Sequence, residues 1–142
     1  MSNILEVKFS AKSENESLSR VIVASFAAKL DPTLDEISDI KTAVSEAVTN
    51  AIIHGYEEDE SKFVYLRCEI NDRTIKVVVE DRGKGIEDIE QAMQPMYTSK
   101  PELERSGMGF SFMESFMDKL DVISIKDEGT KVVMTKTIEL PK

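Results

Sequence analysis

The chain contains 142 residues, of which 41% are apolar and 32% are charged, a balance typical of one folded globular domain over residues 1–142. With 18 basic and 27 acidic residues, its net charge of −9 argues against proteins that follow nucleic-acid phosphates and proteins that adhere to anionic lipid. The single cysteine excludes a disulfide framework, and the longest apolar run (residues 21–28) is too short for a membrane span. The first residues show no signal pattern. We therefore expect a cytoplasmic protein.

The first half of the chain carries one strand signal and two helix signals. Apolar and polar residues alternate over positions 5–9, which predicts a half-buried strand. Ser13 to Glu16 has the form of a capping box and predicts a helix that runs to about Leu30. Thr33 to Glu36 repeats that pattern and opens a second helix, for which Gly55 is predicted to be a left-handed cap.

The second half predicts more strands than helices. Residues 62–70 and 74–81 are rich in β-branched and aromatic side chains and are joined by a short turn, which indicates a hairpin. A long irregular segment follows, then a helix from Gly109 to about Asp118 and two strands near 120–126 and 131–140. This order predicts an α+β fold, a two-layer sandwich whose mixed, mostly antiparallel sheet carries its helices on one face.

A stripe of polar residues runs along the second helix. Glu46, Asn50 and His54 recur every four residues, on a helix whose other sides are mostly apolar and which we therefore expect to be buried. Glu46 alone is compatible with a structural carboxylate, and His54 with a polar residue that ends the last turn. Two unpaired polar side chains would cost several kcal/mol unless a ligand occupies the site. A carboxylate can act as a base and an amide oxygen can bind Mg²⁺, so the pair indicates a phosphate site.

Two glycine clusters follow the stripe. Asp81-Arg-Gly83-Lys-Gly85 ends a strand, where a carboxylate can accept a hydrogen bond from an exocyclic amine and glycines let a flat base approach the backbone. The second cluster, Gly107-Met-Gly109, opens a helix whose free N–H groups favour phosphate. Neither cluster is a Walker A loop, because no Gly-Lys-Ser/Thr sequence completes it.

Together, Glu46-x-x-x-Asn50, Asp81-x-Gly83-x-Gly85 and Gly107-x-Gly109 resemble the N box and the two glycine boxes of the GHKL superfamily, over nearly the whole chain. The resemblance implies a Bergerat-type ATP site. By it, Glu46 is the general base, Asn50 binds both ATP and Mg²⁺, Asp81 binds the adenine amine, and the first glycine box shapes its pocket. The remaining ATP-binding residues that it implies are Thr98, Lys100, Arg105, Ser106, Gly107, Met108, Gly109, Phe110 and Thr130.

Within that superfamily, the chain resembles the anti-sigma serine kinases of endospore-forming bacteria, notably over Ser45 to Tyr56 and Thr98 to Phe110. That resemblance implies phosphorylation of an anti-anti-sigma factor, inhibition of a sporulation sigma factor, and a homodimer formed through the first strand and helix. Arg20 is a candidate contact to these partners, with a solvated surface charge as its plain alternative. A GHKL-type ATPase switch and a nucleotide-dependent binding module remain open. A histidine kinase is disfavoured because the one histidine lies inside the nucleotide motif.

Overall fold

The computed structural model describes residues 2–86, 88–89, 93 and 109–140. Eight helices and strands account for most of this described part, and they follow the predicted order. The strands are β1 (Asn3–Ser10), β2 (Phe63–Asn71), β3 (Thr74–Asp81), β4 (Lys119–Ile125) and β5 (Gly129–Thr137), and the helices are α1 (Ser13–Ala27), α2 (Leu34–Asn50) and α3 (Gly109–Phe116).

The strands form one five-stranded sheet in the order β1-β2-β3-β5-β4, and all four pairings within the described residues are antiparallel. The hairpin β2–β3 lies where the sequence predicts it. In the next pairing, Asp81 at the end of β3 lies opposite Thr130 at the start of β5. The sheet therefore brings together two candidate residues that are far apart in the chain, and the predicted α+β fold is confirmed.

The core lies between the sheet and α2. Alternate residues of β2 and β3 are buried, as expected for strands with one covered face. Helix α2 packs between α1 and α3 and buries Ile40, Ala43, Val44, Ala47 and Val48. Because both neighbouring helices and the sheet contact α2, the helix that carries the candidate catalytic residues is held in place from several sides.

Only one of the two predicted capping boxes forms. At α2, the Glu36 N–H donates to Thr33 Oγ1 at 3.1 Å and the Thr33 N–H donates to Glu36 Oε1 at 2.9 Å, so that box is confirmed. The box at Ser13 is wrong, because the residue that precedes α1 makes no side-chain cap. The carboxylate of Glu16 instead accepts a hydrogen bond from Ser45 of α2 and lies 3.2 Å from Arg20 Nε. Glu16 is thus bound by Ser45 of α2 and by Arg20 one turn later in α1, and not by the predicted cap.

The predicted role of Gly55 is also wrong. The turn Ala51–Gly55 that follows α2 is widened to the π type, and the Tyr56 N–H donates to Ala51 O at 2.9 Å. The left-handed residues come later, at Glu57 and Glu58, with φ of 50° and 64°. A Cβ on Gly55 would lie 2.6 Å from Asp81 Oδ1. The position is therefore restricted by the close approach of β3 and not by backbone handedness.

Candidate functional site

The polar stripe lies on a partly open side of the second helix. Glu46, Asn50 and His54 are all half-buried, whereas the neighbouring Ala47 and Val48 are 1% and 0% exposed. Within the described residues, the stripe is thus less buried than the apolar sides of the same helix. A carboxylate and an amide that are partly exposed can reach a ligand.

Asp81 is the only carboxylate that is buried within the described residues. It is 3% exposed at the end of β3, and the Gly83 N–H donates to its Oδ1 at 2.9 Å. Burial raises the pKa of Asp81 to about 6, and the nearby Glu80 charge adds to this rise. Hydrogen bonds from the Gly83 and Thr130 backbones lower the pKa but only partly offset the effect of burial. A buried carboxylate whose negative charge is under-compensated in this way favours an added hydrogen-bond donor.

Several glycines are required because backbone segments meet tightly around Asp81. A Cβ at Gly83 would lie 2.0 Å from Gly55 O, and one at Gly129 would lie 2.1 Å from Asp81 O. Gly85 has a φ of 77°, and its Cβ would lie 2.4 Å from Ile125 O. The sequence predicts Gly83 and Gly85 as pocket residues but gives no sign that Gly55 and Gly129 pack against the same aspartate. Gly55, Gly83 and Gly129 therefore pack against Asp81, whereas Gly85 packs against the end of β4.

Thr130, predicted to support the adenine pocket, lies opposite Asp81 in the β3–β5 pairing. It is 4% exposed, and its Oγ1 lies 2.8 Å from Ser124 Oγ. Ser124 in turn accepts a hydrogen bond from the Ile86 N–H at 2.7 Å. Sequence reasoning missed Ser124, whose only signal is its inward position on β4 opposite Thr130. The two hydroxyls connect the loop after Gly85 to the last strand.

The second glycine cluster is described only in part. Gly109 begins α3 with a φ of 41°, and a Cβ there would meet no atom within 4 Å. Phe110 is 4% exposed and belongs to the hydrophobic core, so the structure gives it a packing role. The other predicted residues of this cluster lie outside the described residues; they are Thr98, Lys100, Arg105, Ser106, Gly107 and Met108.

Arg20 is more constrained than a solvated surface charge. Its Nε lies 3.2 Å from Glu16 Oε1 in an ion pair that is not aligned as a hydrogen bond, and its Nη2 donates to Ser17 Oγ at 3.2 Å. With Lys41, Ser45 and neighbouring residues of α2, it lines a cavity of about 310 Å³ between α1 and α2. The described lining of this groove does not include Glu46, Asn50 or Asp81.

The raised pKa of Asp81 predicts a specific dependence of stability on pH. Because the folded-state pKa of about 6 exceeds the ordinary 3.8, the folded chain holds this proton more tightly than the unfolded chain. The resulting stabilisation is fully present below pH 3.8 and is lost as pH rises through about 6. We therefore expect the free energy of unfolding, relative to the non-titrating Asp81→Asn, to fall by roughly 2–3 kcal/mol between about pH 4 and pH 7.

Urea unfolding of both proteins across this pH range measures the difference. Asp121→Asn, at an exposed position of β4, is the matched control and should track the unmodified protein. A pH-independent difference between Asp81→Asn and the unmodified protein would contradict the raised pKa.

The described residues hold no helix that is both long and apolar enough to cross a membrane. They also contain no group of three or more His, Cys, Asp or Glu side chains arranged to hold a metal ion by themselves. A metal at the polar stripe would therefore need ligands beyond the His, Cys, Asp and Glu side chains of this described part.

The chain is similar to several known proteins. Residues 9–136 match the family model described as the histidine kinase-like ATPase domain. The anti-sigma F factor of Clostridium perfringens is 62% identical over 136 residues, which cover 96% of this chain and 97% of the relative. The anti-sigma F factor of Anoxybacillus flavithermus is 56% identical over 142 residues, which cover 100% of this chain and 97% of the relative.

Solved structures show the same fold at much lower sequence identity. The RsbU and RsbW domains of Rv1364c from Mycobacterium tuberculosis align with a TM-score of 0.69 at 19% identity, over 96% of this chain and 32% of that one. The catalytic domain of the histidine kinase ThkA aligns with a TM-score of 0.56 at 17% identity, over 94% of this chain and 97% of that one. At these identities the likeness establishes the fold alone.

Proposed function

The chain belongs to the histidine kinase-like ATPase domain family, within it to the anti-sigma F factors, and on this premise we propose that it is a Mg·ATP-dependent protein-serine kinase. The single observation that carries the proposal is the arrangement around Asp81. A buried, under-compensated carboxylate lies against the end of the helix whose accessible side carries Glu46 and Asn50. One part of this site suits a nucleobase amine and the other suits a metal and a reacting hydroxyl.

The described residues fit ATP and Mg²⁺ by their chemistry. Asp81 would accept a hydrogen bond from the adenine amine. Gly83 and Gly85 would shape the adenine pocket, and Thr130 would support it. Asn50 offers one hard oxygen to Mg²⁺, which commonly takes few protein ligands beside phosphate oxygens and water. Bound Mg·ATP supplies the phosphoryl group for transfer.

Glu46 would remove the proton from the serine hydroxyl of a protein substrate. Its half-buried position leaves part of the side chain accessible from outside the core. By the family pattern, the phosphates would be held by backbone N–H groups of the second glycine cluster and by Arg105, with its flanking residues Thr98, Lys100, Ser106, Met108 and Phe110 completing the ATP-binding set.

We infer the protein partners from the names of the relatives. They are anti-sigma F factors, and one solved structure contains an RsbW domain, which supports a sigma factor of sporulation as the inhibited partner and an anti-anti-sigma factor as the substrate. The net charge of −9 suits contact with a basic sigma surface. Arg20, which lines the groove between α1 and α2, stays a candidate contact to one of these partners. The functional protein would be a cytoplasmic homodimer.

The decisive experiment incubates the protein with γ-labelled Mg·ATP and a purified anti-anti-sigma protein, then locates the label by mass spectrometry. Phosphoserine on the second protein is the expected result. Release of free phosphate without phosphoserine would instead identify an ATPase switch. ATP binding with neither product would identify a nucleotide-dependent binding module. A reaction without Mg²⁺ is the control for metal dependence.

A further inference from the structure

The loop that follows Asp81 is tied to the end of α2 by two hydrogen bonds. The Lys84 N–H donates to Gly55 O at 3.0 Å, and the Arg82 N–H donates to the Tyr56 hydroxyl oxygen at 2.7 Å. These two amides flank Gly83, whose own N–H donates to Asp81 Oδ1. Gly55 and Tyr56, at the end of the widened turn that follows α2, therefore hold the loop on both sides of the Gly83 N–H.

The Tyr56 hydroxyl has a defined direction. It accepts a hydrogen bond from the Arg82 N–H, so its own proton is directed to Phe63 O at 2.6 Å, at the start of β2. The residue is 7% exposed, and burial raises the pKa of its hydroxyl, which keeps it protonated. We call this arrangement of Phe63 O, the Tyr56 hydroxyl and the Arg82 N–H the Tyr56 bridge. It joins α2 to both strands of the hairpin.

The Tyr56 bridge lies between the two parts of the candidate site. Glu46 and Asn50 lie on α2, and Asp81 lies on β3, so their separation depends on how the helix meets the strand. The widened turn Ala51–Gly55 and the close approach of Gly55 to Asp81 bring the two elements together. Single widened turns of this kind are frequent at functional sites in helices. The Tyr56 hydroxyl, which accepts from the Arg82 N–H and donates to Phe63 O, then links the end of β3 and the start of β2 to this turn.

We propose that Tyr56 is a positioning residue for nucleotide recognition, which sets the Asp81 carboxylate at a fixed place relative to Glu46 and Asn50 through the Tyr56 bridge. This inference rests on the proposed function, since it assumes that Asp81 reads the adenine amine. Tyr56 acts through the Arg82 backbone and not by contact with the nucleotide. Its loss should affect recognition of the base more than the chemical step.

Tyr56→Phe tests the proposal, because it removes the hydroxyl and keeps the ring. Isothermal titration of the full chain with Mg·ATP and Mg·GTP should show an ATP dissociation constant raised about tenfold, the effect of roughly one lost hydrogen bond. The ratio of GTP to ATP dissociation constants should fall by a similar factor. In the kinase assay, KM for ATP should rise while kcat changes little.

Tyr65→Phe is the matched control. Tyr65 lies on β2, and its ring stacks against the Arg82 guanidinium at 4.3 Å, so the same chemical change is made beside the same loop residue without touching the bridge. It should leave both dissociation constants unchanged. If Tyr56→Phe lowers the melting temperature but keeps the ATP affinity and the base preference, the role is only structural and the proposal is overturned. An unmodified protein that binds no ATP would instead overturn the proposed function.

Amide hydrogen exchange of the unmodified protein gives a second measurement, which does not depend on the variant folding. The Arg82 and Lys84 amides should exchange as slowly as those within β3 even without nucleotide, since both are bonded to the end of α2. Exchange at the rate of exposed loop amides would overturn the proposal. Slow exchange of the Arg82 amide that is kept in Tyr65→Phe and lost in Tyr56→Phe would support it directly.

Discussion

Glu46→Gln should slow phosphoryl transfer to the protein substrate by about 10²–10⁴-fold, the usual contribution of a general base. Gln keeps the size of the side chain but cannot take the serine proton. The affinity for Mg·ATP should change little, because the proposed adenine contact is Asp81 and the proposed metal ligand is Asn50. The expected signature is therefore a large fall in kcat with a nearly constant ATP dissociation constant.

Single-turnover transfer of labelled phosphate, combined with ATP titration, measures both quantities on the same preparation. Glu114→Gln is the matched control, because it makes the same change at an exposed position of α3. It should transfer phosphate at the unmodified rate. A Glu46→Gln protein that keeps full turnover would remove Glu46 from the base role, whereas a loss of ATP binding in that variant would show that Glu46 serves the nucleotide and not the proton.

The sequence predicts this site well where a feature is local. The β-branched and aromatic content of residues 62–70 and 74–81, with the turn between them, predicts the β2–β3 hairpin, and the Thr33 capping box predicts the start of α2. The four-residue spacing of Glu46 and Asn50 needs only helical geometry to place both on one side. These features depend on neighbours within a few positions, so a single sequence contains them.

Features that depend on distant segments were mispredicted or missed. The Ser13 capping box fails because Glu16 finds partners on another helix and one turn along its own. Gly55 is predicted as a cap but is required by the side chain of Asp81, 26 positions later in the chain. The Tyr56 bridge has no local signal, because a tyrosine after a helix is compatible with any surface turn. Only the folded backbone shows what its hydroxyl contacts.

The exposure of the polar stripe is another feature that depends on the surrounding fold. Apolar residues surround Glu46 and Asn50 in the helical projection, which indicates a covered helix. The structure covers Ala47 and Val48 with neighbouring elements but leaves Glu46 and Asn50 partly exposed. A helical projection shows which residues share a side, and it cannot show where the fold leaves that side open. This opening is what turns two polar residues into a candidate site.

Asp81→Asn should weaken ATP binding by about 100-fold and abolish the preference for ATP over GTP. The carboxylate is 3% exposed and accepts the Gly83 N–H, so an added donor from adenine would form a charge-assisted hydrogen bond in a site with little water. Removing such a bond costs roughly 1.5–3 kcal/mol, and a mismatched buried polar pair costs more. Asn keeps one acceptor for Gly83 but presents an NH₂ group where the adenine amine also donates.

This variant also separates recognition of the base from stability. Near neutral pH the ionised Asp81 is a cost to folding, since burial raises its pKa to about 6. Asp81→Asn should therefore remain folded at pH 7 while it loses the nucleotide. Titration with ATP and GTP, beside urea unfolding of the same samples, tests both statements. Equal ATP affinity in the variant and the unmodified protein would show that Asp81 does not read the base. Equal ATP and GTP affinities in the unmodified protein would show that no residue does.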